Sequence, residues 1–297
     1  MVDPPWLWAV FTVTAAAAQT VRNATQRELT TTLGTVGATH VRFLFGLPFA
    51  LVFLAAVVLV GGAAVPEPDA IFWPWFAAGA LLQIAATELM LMAMVDRSFV
   101  VAIAYIKTEP VHVALFGLIF LGDAVTPAMA LAILLATVGV VIVSYRAEGG
   151  GGLRPAVLGI LSAGSFALSA IGFRGAILSL DNPSFVMAAT FTLVCALLLQ
   201  TVLLSAYLAL RERAVLLAIV RAWRPSLVAG FMGALASQFW FLAFAIATAA
   251  SVRTLGLVEV LFAQGISRLL FKQPTTAREA IGIALIVFGV ALLMRAY

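Results

Sequence analysis

The sequence predicts an all-α integral membrane protein in which ten transmembrane helices form two inverted five-helix repeats. Three observations lead there. Apolar residues fill 64% of the 297 positions and charged ones only 10%, with a mean hydropathy of +1.13, which is too little polarity to cover a water-soluble surface. Ten stretches approach the roughly 20 apolar residues that a bilayer crossing requires. The two halves also match one another: adding 150 to a residue number in the first half finds its counterpart in the second, without a gap from 73 to 140.

Under that offset Trp73 falls on Trp223, Thr87 and Glu88 on Ser237 and Gln238, and Ala93 on Ala243. Glu109 falls on Glu259, Ile133 on Ile283, and Gly139 and Val140 on Gly289 and Val290. Thr12 and Gln19 fall on Ser162 and Ser169.

The first helix is expected over 6–25. Its leading Met-Val-Asp-Pro-Pro lacks the basic start of a signal peptide, so the segment is expected to be retained. The second, 38–60, stops at Gly61, Gly62, Pro66 and Pro68; the third covers 71–94. The fourth, 98–119, contains Pro110, which should kink it beside Glu109 because proline cannot donate the backbone hydrogen bond. The fifth, 127–145, opens on Pro127. Gly149 to Gly152 mark a linker over 149–154, dividing a first repeat (1–148) from a second (155–297). The second repeat supplies helices at 155–178, 184–207, 225–247, 251–270 and 278–295, punctuated by Pro155, Pro183, Pro225 and Pro274. Val260 stands where a second Pro110 would be, so the two halves should bend differently. Five is odd, so the second repeat enters the membrane from the opposite face, and such repeats place a substrate site at their interface near mid-bilayer.

Arginines set the orientation. Ten basic residues, Arg213 and Arg221 among them, fall in the loops on one side, against at most three on the other (Arg295, Arg174, Arg253). That bias makes the first side cytoplasmic and leaves both termini outside. Trp6, Trp8, Trp73, Trp75 and Trp223 sit at segment ends, where tryptophan anchors a helix at the membrane interface.

The net charge of +4 and pI near 9.7 therefore reflect topology, since no basic run is interleaved with aromatics as nucleic-acid binding would want. Cys195 is the single cysteine, which excludes an intrachain disulfide and a cysteine metal site. His40 and His112 are too few for a metal cluster, and no nucleophile motif or phosphate-binding glycine loop occurs, so neither cofactor nor metal is expected.

Ionisable side chains inside a bilayer cost about 2.5–3.5 kcal/mol on insertion scales and need partners or a wet cavity. In the first helix Thr12, Ala15, Gln19, Arg22 and Gln26 share one face. Ser162, Ser165, Ser169 and Gly172 form the matching stripe of the sixth, either a second cavity wall or a small-residue packing face. The fourth helix places Tyr105, Glu109 and His112 on one face, with Lys107 turned elsewhere, either to pair with Glu88 or to snorkel. Ser237, Gln238, Trp240 and Phe241 offer a further wall. Glu109 and Glu259 are either a structural pair or substrate and proton-coupling groups, with Glu109 favoured for coupling.

The chain resembles the EamA-type ten-helix permeases of the drug/metabolite transporter superfamily. The resemblance rests on Arg42, on SFVVAIAYIKTEPVHVALFGLIFLGDAVT (98–126), on its second copy TAASVRTLGLVEVLFAQGISRLLFKQPT (248–275), and on the glycine-valine endings ATVGVVIV and IVFGVALL. It implies a carrier in a bacterial inner membrane, monomeric or homodimeric, with lipids and a small-molecule substrate as partners and no nucleic acid. The family's usual orientation puts both termini in the cytoplasm, opposite to the arginine count. Buried charges of both signs favour a zwitterionic amino acid or derivative, exported by alternating access. The alternatives are an organic-anion or nucleotide-like metabolite carrier, and a non-transporting membrane enzyme or lipid-handling subunit. The expected site comprises Gln19, Arg22, Arg42, Tyr105, Glu109, His112, Ser165, Ser169, Gln238, Trp240 and Glu259.

Overall fold

The computed structural model describes residues 4–62, 64–96, 105–144, 153–182, 184–262 and 276–296. Arg97, Arg146, the glycines at 149–152, Lys272, Gln273, and the parts of the fourth and ninth predicted helices at 98–104 and 263–270 lie outside them. Among the described residues the chain is helical, without strands. The first half contains α1 (Leu7–Leu44), α2 (Leu47–Gly61), α3 (Phe72–Asp96), α4 (Glu109–Leu121) and α5 (Pro127–Ser144). The second contains α6 (Leu153–Ser179), α7 (Phe185–Arg211), α8 (Arg213–Arg221), α9 (Trp223–Ile246), α10 (Ala249–Leu255), a 3-10 turn (Gly256–Val258) and α11 (Ala277–Ala296). Six helical stretches are long and apolar enough to cross a membrane. The surface is inverted relative to a soluble protein: Leu59 and Val60 are 83% and 89% exposed, while Gln26 and Gln200 have no exposure. Both features are consistent with a multi-pass membrane protein.

α1 is two helices joined at Gly34. That residue adopts φ 67°, ψ 177°, a region open essentially to glycine alone. Gln26 Nε2 donates to the Ala38 carbonyl at 2.9 Å, across twelve residues that in a straight helix would span about 18 Å. The chain therefore folds back at Gly34. The expected loop over 26–37 is instead mostly helix, and the expected second helix is interrupted near Gly46 and Pro48.

Three packed pairs organise the bundle: α3 on α6, α1 on α9, and α5 on α11. Adding or subtracting 150 exchanges the first two pairs and maps the third onto itself. The third does so residue by residue. A Cβ on Gly139 would lie 2.6 Å from the Gly282 carbonyl and 2.9 Å from Ile286, and one on Gly289 would meet Ala132 and Ala136 at 2.8 Å. Those are the same contacts shifted by 150.

Loops gather at two ends. Asn182 donates to the Ala64 carbonyl at one end. At the same end Arg174 donates to the Phe244 and Ala247 carbonyls, 2.5 Å each, and reaches Asp123 at 3.4 Å. Gly37 meets Val215 of α8 at the other end. Trp6, Trp73 and Trp223 are about half exposed, as interfacial anchors should be, whereas Trp8 is buried and Trp75 packs on Gly175, so these two are packing residues.

Candidate functional site

Both halves break a helix at equivalent places. In the first, Lys107 and Thr108 form a turn ahead of α4, whose second residue is Pro110. Thr108 Oγ1 donates to the Tyr105 carbonyl at 2.8 Å, and His112 Nδ1 lies 3.0 Å from the Thr108 carbonyl. In the second half α10 ends at Leu255 and tightens into the 3-10 turn at Gly256–Val258, which is 106–108 plus 150. No proline acts there. Gly256 lies so close to Trp240 that a Cβ would sit 2.6 Å from its indole ring. The halves do bend by different means, as Val260 leads one to expect, but at the same point of the repeat.

Ion pairs cross between the broken segments. Lys107 Nζ contacts Glu259 Oε1 directly, and Arg253 Nε stands 3.0 Å from Glu109 Oε1. Each carboxylate of one half is thus neutralised by a cation near the break: Glu259 from the first half, Glu109 from the second. Both pairs are about nine-tenths buried. Gln19, at the middle of the 7–33 arm of α1, ties them to the α9 wall. Its Nε2 donates to Glu259 Oε2 at 3.1 Å, and its Oε1 accepts from Trp240 Nε1 at 3.0 Å. The Arg253 guanidinium lies 4.4 Å over the Trp240 ring and 5.3 Å from that of Phe244, a contact worth about 2 kcal/mol where water is excluded.

Two small neighbouring hollows flank this network. Gln19, Lys107, Glu109 and Arg253 line both; Arg22, Asn23, Met90, Ile106 and Phe166 close one, and Trp240, Pro110 and Gly256 the other. Little more than water-sized space remains in either, so the site is closed in this conformation.

Of the expected site residues, Gln19, Arg22, Glu109 and Trp240 line these hollows, and Glu259 is bonded into their wall. Arg42 stands behind them, donating to Thr87 Oγ1 at 3.1 Å and Ser237 Oγ at 3.3 Å, two residues that are equivalent under the 150 shift. The others lie elsewhere. Tyr105 packs against Gly159, and His112 turns back on its own helix. The turn at Lys107 takes Tyr105 off the face it would share with Glu109 in a continuous helix, whereas His112 stays in the same helix as Glu109, one turn on. Gln238 donates to Thr190 of α7 at 2.8 Å. Ser169 donates to the Gly79 carbonyl and Ser162 to that of Ala86, both 2.8 Å, at the seam where Gly172 meets Gly79. Those serines are spent on helix packing; Phe166, next to the half-buried Ser165, is what α6 offers the hollow.

Sequence reasoning misses Lys107 and Arg253 as members of the site. It turns Lys107 toward Glu88, which instead accepts from Thr39 Oγ1 at 3.0 Å and from Thr35. It assigns Arg253 to a helix end. The signal is present all the same: a lone arginine six residues before Glu259, inside an apolar run.

No family model matches the chain, and no curated protein does. A solved crystal structure shares the fold over 95% of both chains, with a TM-score of 0.68 and 18% identity. That likeness speaks for the fold alone.

Proposed function

We propose that this chain is a secondary carrier of the drug/metabolite transporter type, moving a small zwitterionic metabolite such as an amino acid or derivative by alternating access. On this reading ten spans form two inverted repeats, and export from a bacterial inner membrane is the physiological direction. The observation that carries it is the pair of equivalent helix breaks, which places buried ion pairs from both halves around a closed hollow. Discontinuous helices at a repeat interface are how carriers expose backbone and charge to a substrate within the bilayer. The exchange of packed pairs by the 150 shift supports the two-fold relation. A non-transporting enzyme would want a nucleophile and base within reach of each other, and the ionisable groups of the hollow are two ion pairs and an arginine.

Transport of radiolabelled amino acids into proteoliposomes tests the proposal. Uptake should depend on the protein, and Glu109→Gln should abolish gradient-driven accumulation while preserving exchange, because only the proton step needs a titratable carboxyl. Glu259→Gln, which keeps the hydrogen bond from Gln19, should leave coupling in place. Absence of any protein-dependent flux across the panel, with or without a pH gradient, would sink the carrier reading. Full accumulation by Glu109→Gln would remove Glu109 as the coupling group.

A further inference from the structure

We infer that Arg22 and the hollow beside it form a subsite for the carboxylate of an amphipathic ligand, with the ligand's apolar body held against Met90, Ile106 and Phe166. The inference rests on the carrier proposal for its setting and adds the chemical group that the site selects.

Charge balance leads to it. Of the cations around the hollow, Lys107 is matched by Glu259 and Arg253 by Glu109. Arg22 has no direct ion-pair partner among the described residues. The residue is 1% exposed, and among the described residues no carboxylate stands within ion-pair distance of it. Its hydrogen bonds go to one neutral atom, Asn23 Oδ1, at 3.2 Å from Nε and 2.6 Å from Nη2. That fixes one edge of the fork and leaves Nη1 for a ligand. A second buried cation increases the surplus. The stems of Arg22 and Arg42 flank Gly233, whose Cβ would lie 3.4 Å from Arg22 Cδ and 3.0 Å from Arg42 Cγ, and Arg42 holds only hydroxyls.

Two like charges side by side in a dry interior are unfavourable unless an anion joins them. A planar guanidinium with one edge pinned suits the two oxygens of a carboxylate. The remaining wall decides the rest of the ligand. Among the lining residues, Met90, Ile106 and Phe166 have side chains without a hydrogen-bonding group and form the apolar part of the wall, which suits an aliphatic or aromatic body. Since the hollow is closed here, the ligand enters in a conformation in which the two halves have parted.

The test uses purified, detergent-solubilised full-length protein and three related probes: phenylalanine, phenylalaninamide and 3-phenylpropionate, with the leucine series in parallel. Thermal unfolding reports binding by mass action. The amino acid and the simple carboxylate should both raise the midpoint, and the amide should not. Arg22→Gln should weaken carboxylate binding by about tenfold to a hundredfold, the loss expected for a charge-assisted hydrogen bond. The unliganded variant should be no less stable than the parent, since it loses an uncompensated charge. Stabilisation by the amide equal to that by the acid overturns the inference on the parent protein alone. So does an absent response to every carboxylate, unchanged binding by Arg22→Gln, or unfolding of that variant without ligand. Arg22-dependent binding without proteoliposome flux would retain the subsite and refute the carrier, whereas flux unaffected by Arg22→Gln would do the reverse.

Discussion

At the scale of single residues, the site is a set of buried charges that neutralise each other across the boundary between halves. Removing one member of such a pair leaves its partner desolvated and alone, which costs about 3–5 kcal/mol. Lys107→Met and Glu259→Gln should each therefore lower stability by that order, and chemical denaturation in detergent would measure it. The double variant should cost less than the sum, because the second change removes the charge that the first left buried and unpaired. Strict additivity would mean that Lys107 and Glu259 do not depend on one another. The sequence reveals both carboxylates, because acids in an apolar run are conspicuous. It does not reveal who answers them. Lys107 and Arg253 reach the carboxylates only through a turn and a 3-10 segment, and helical periodicity aims their side chains elsewhere.

At the scale of elements, glycine and proline decide where helices yield. Pro110 announces one break in its own letters. Its counterpart at Gly256–Val258 has no proline, and there the indole of Trp240 packs directly on Gly256. The reversal at Gly34 is only roughly legible, since Arg27, Glu28 and Thr30 look like a loop. In the structure they extend the helix, with the hydroxyls of Thr30 and Thr31 bonded to the carbonyls of Arg27 and Glu28. The serine stripe of α6 is ambiguous for a plain reason: a packing seam and a cavity wall have the same 3.6-residue period. Gly34 makes a clean test of the reversal. Nothing lies within 4 Å of the position a Cβ would take, so a side chain there meets no clash and only the backbone conformation objects. Gly34→Ala should destabilise the protein by about 1–3 kcal/mol, seen as a lowered midpoint on thermal unfolding. A neutral substitution would mean that the turn tolerates an ordinary conformation, and that Gln26 and Ala38 meet by another path.

At the scale of the whole molecule, the proposed five passes per repeat would have a consequence that can be measured from outside. Ala64 and Ala214 stand in the links that precede the equivalent residues Trp73 and Trp223, and both are exposed. If the repeats were parallel, the two links would face the same compartment. Inversion would put them on opposite faces; Ala64 is bonded to Asn182 at one end of the bundle, while Val215, beside Ala214, touches Gly37 at the other. The charges divide in the same sense. The end with Ala214 carries Arg211, Arg213, Arg221 and Arg224, and the link around Ala64 carries Glu67 and Asp69. Positive residues stay on the cytoplasmic side, so Ala214 should be inside and Ala64 outside. Single cysteines at these positions, in a Cys195→Ser background and treated with a membrane-impermeant maleimide, decide it. In intact cells Ala64→Cys should label and Ala214→Cys should not, and inverted vesicles should swap the result. Labelling of both from one face would refute the inverted repeat. A clean swap of the two faces would keep the repeat and reverse the orientation, placing both termini in the cytoplasm as the resembling permeases have them and showing that arginine count does not set topology in this chain.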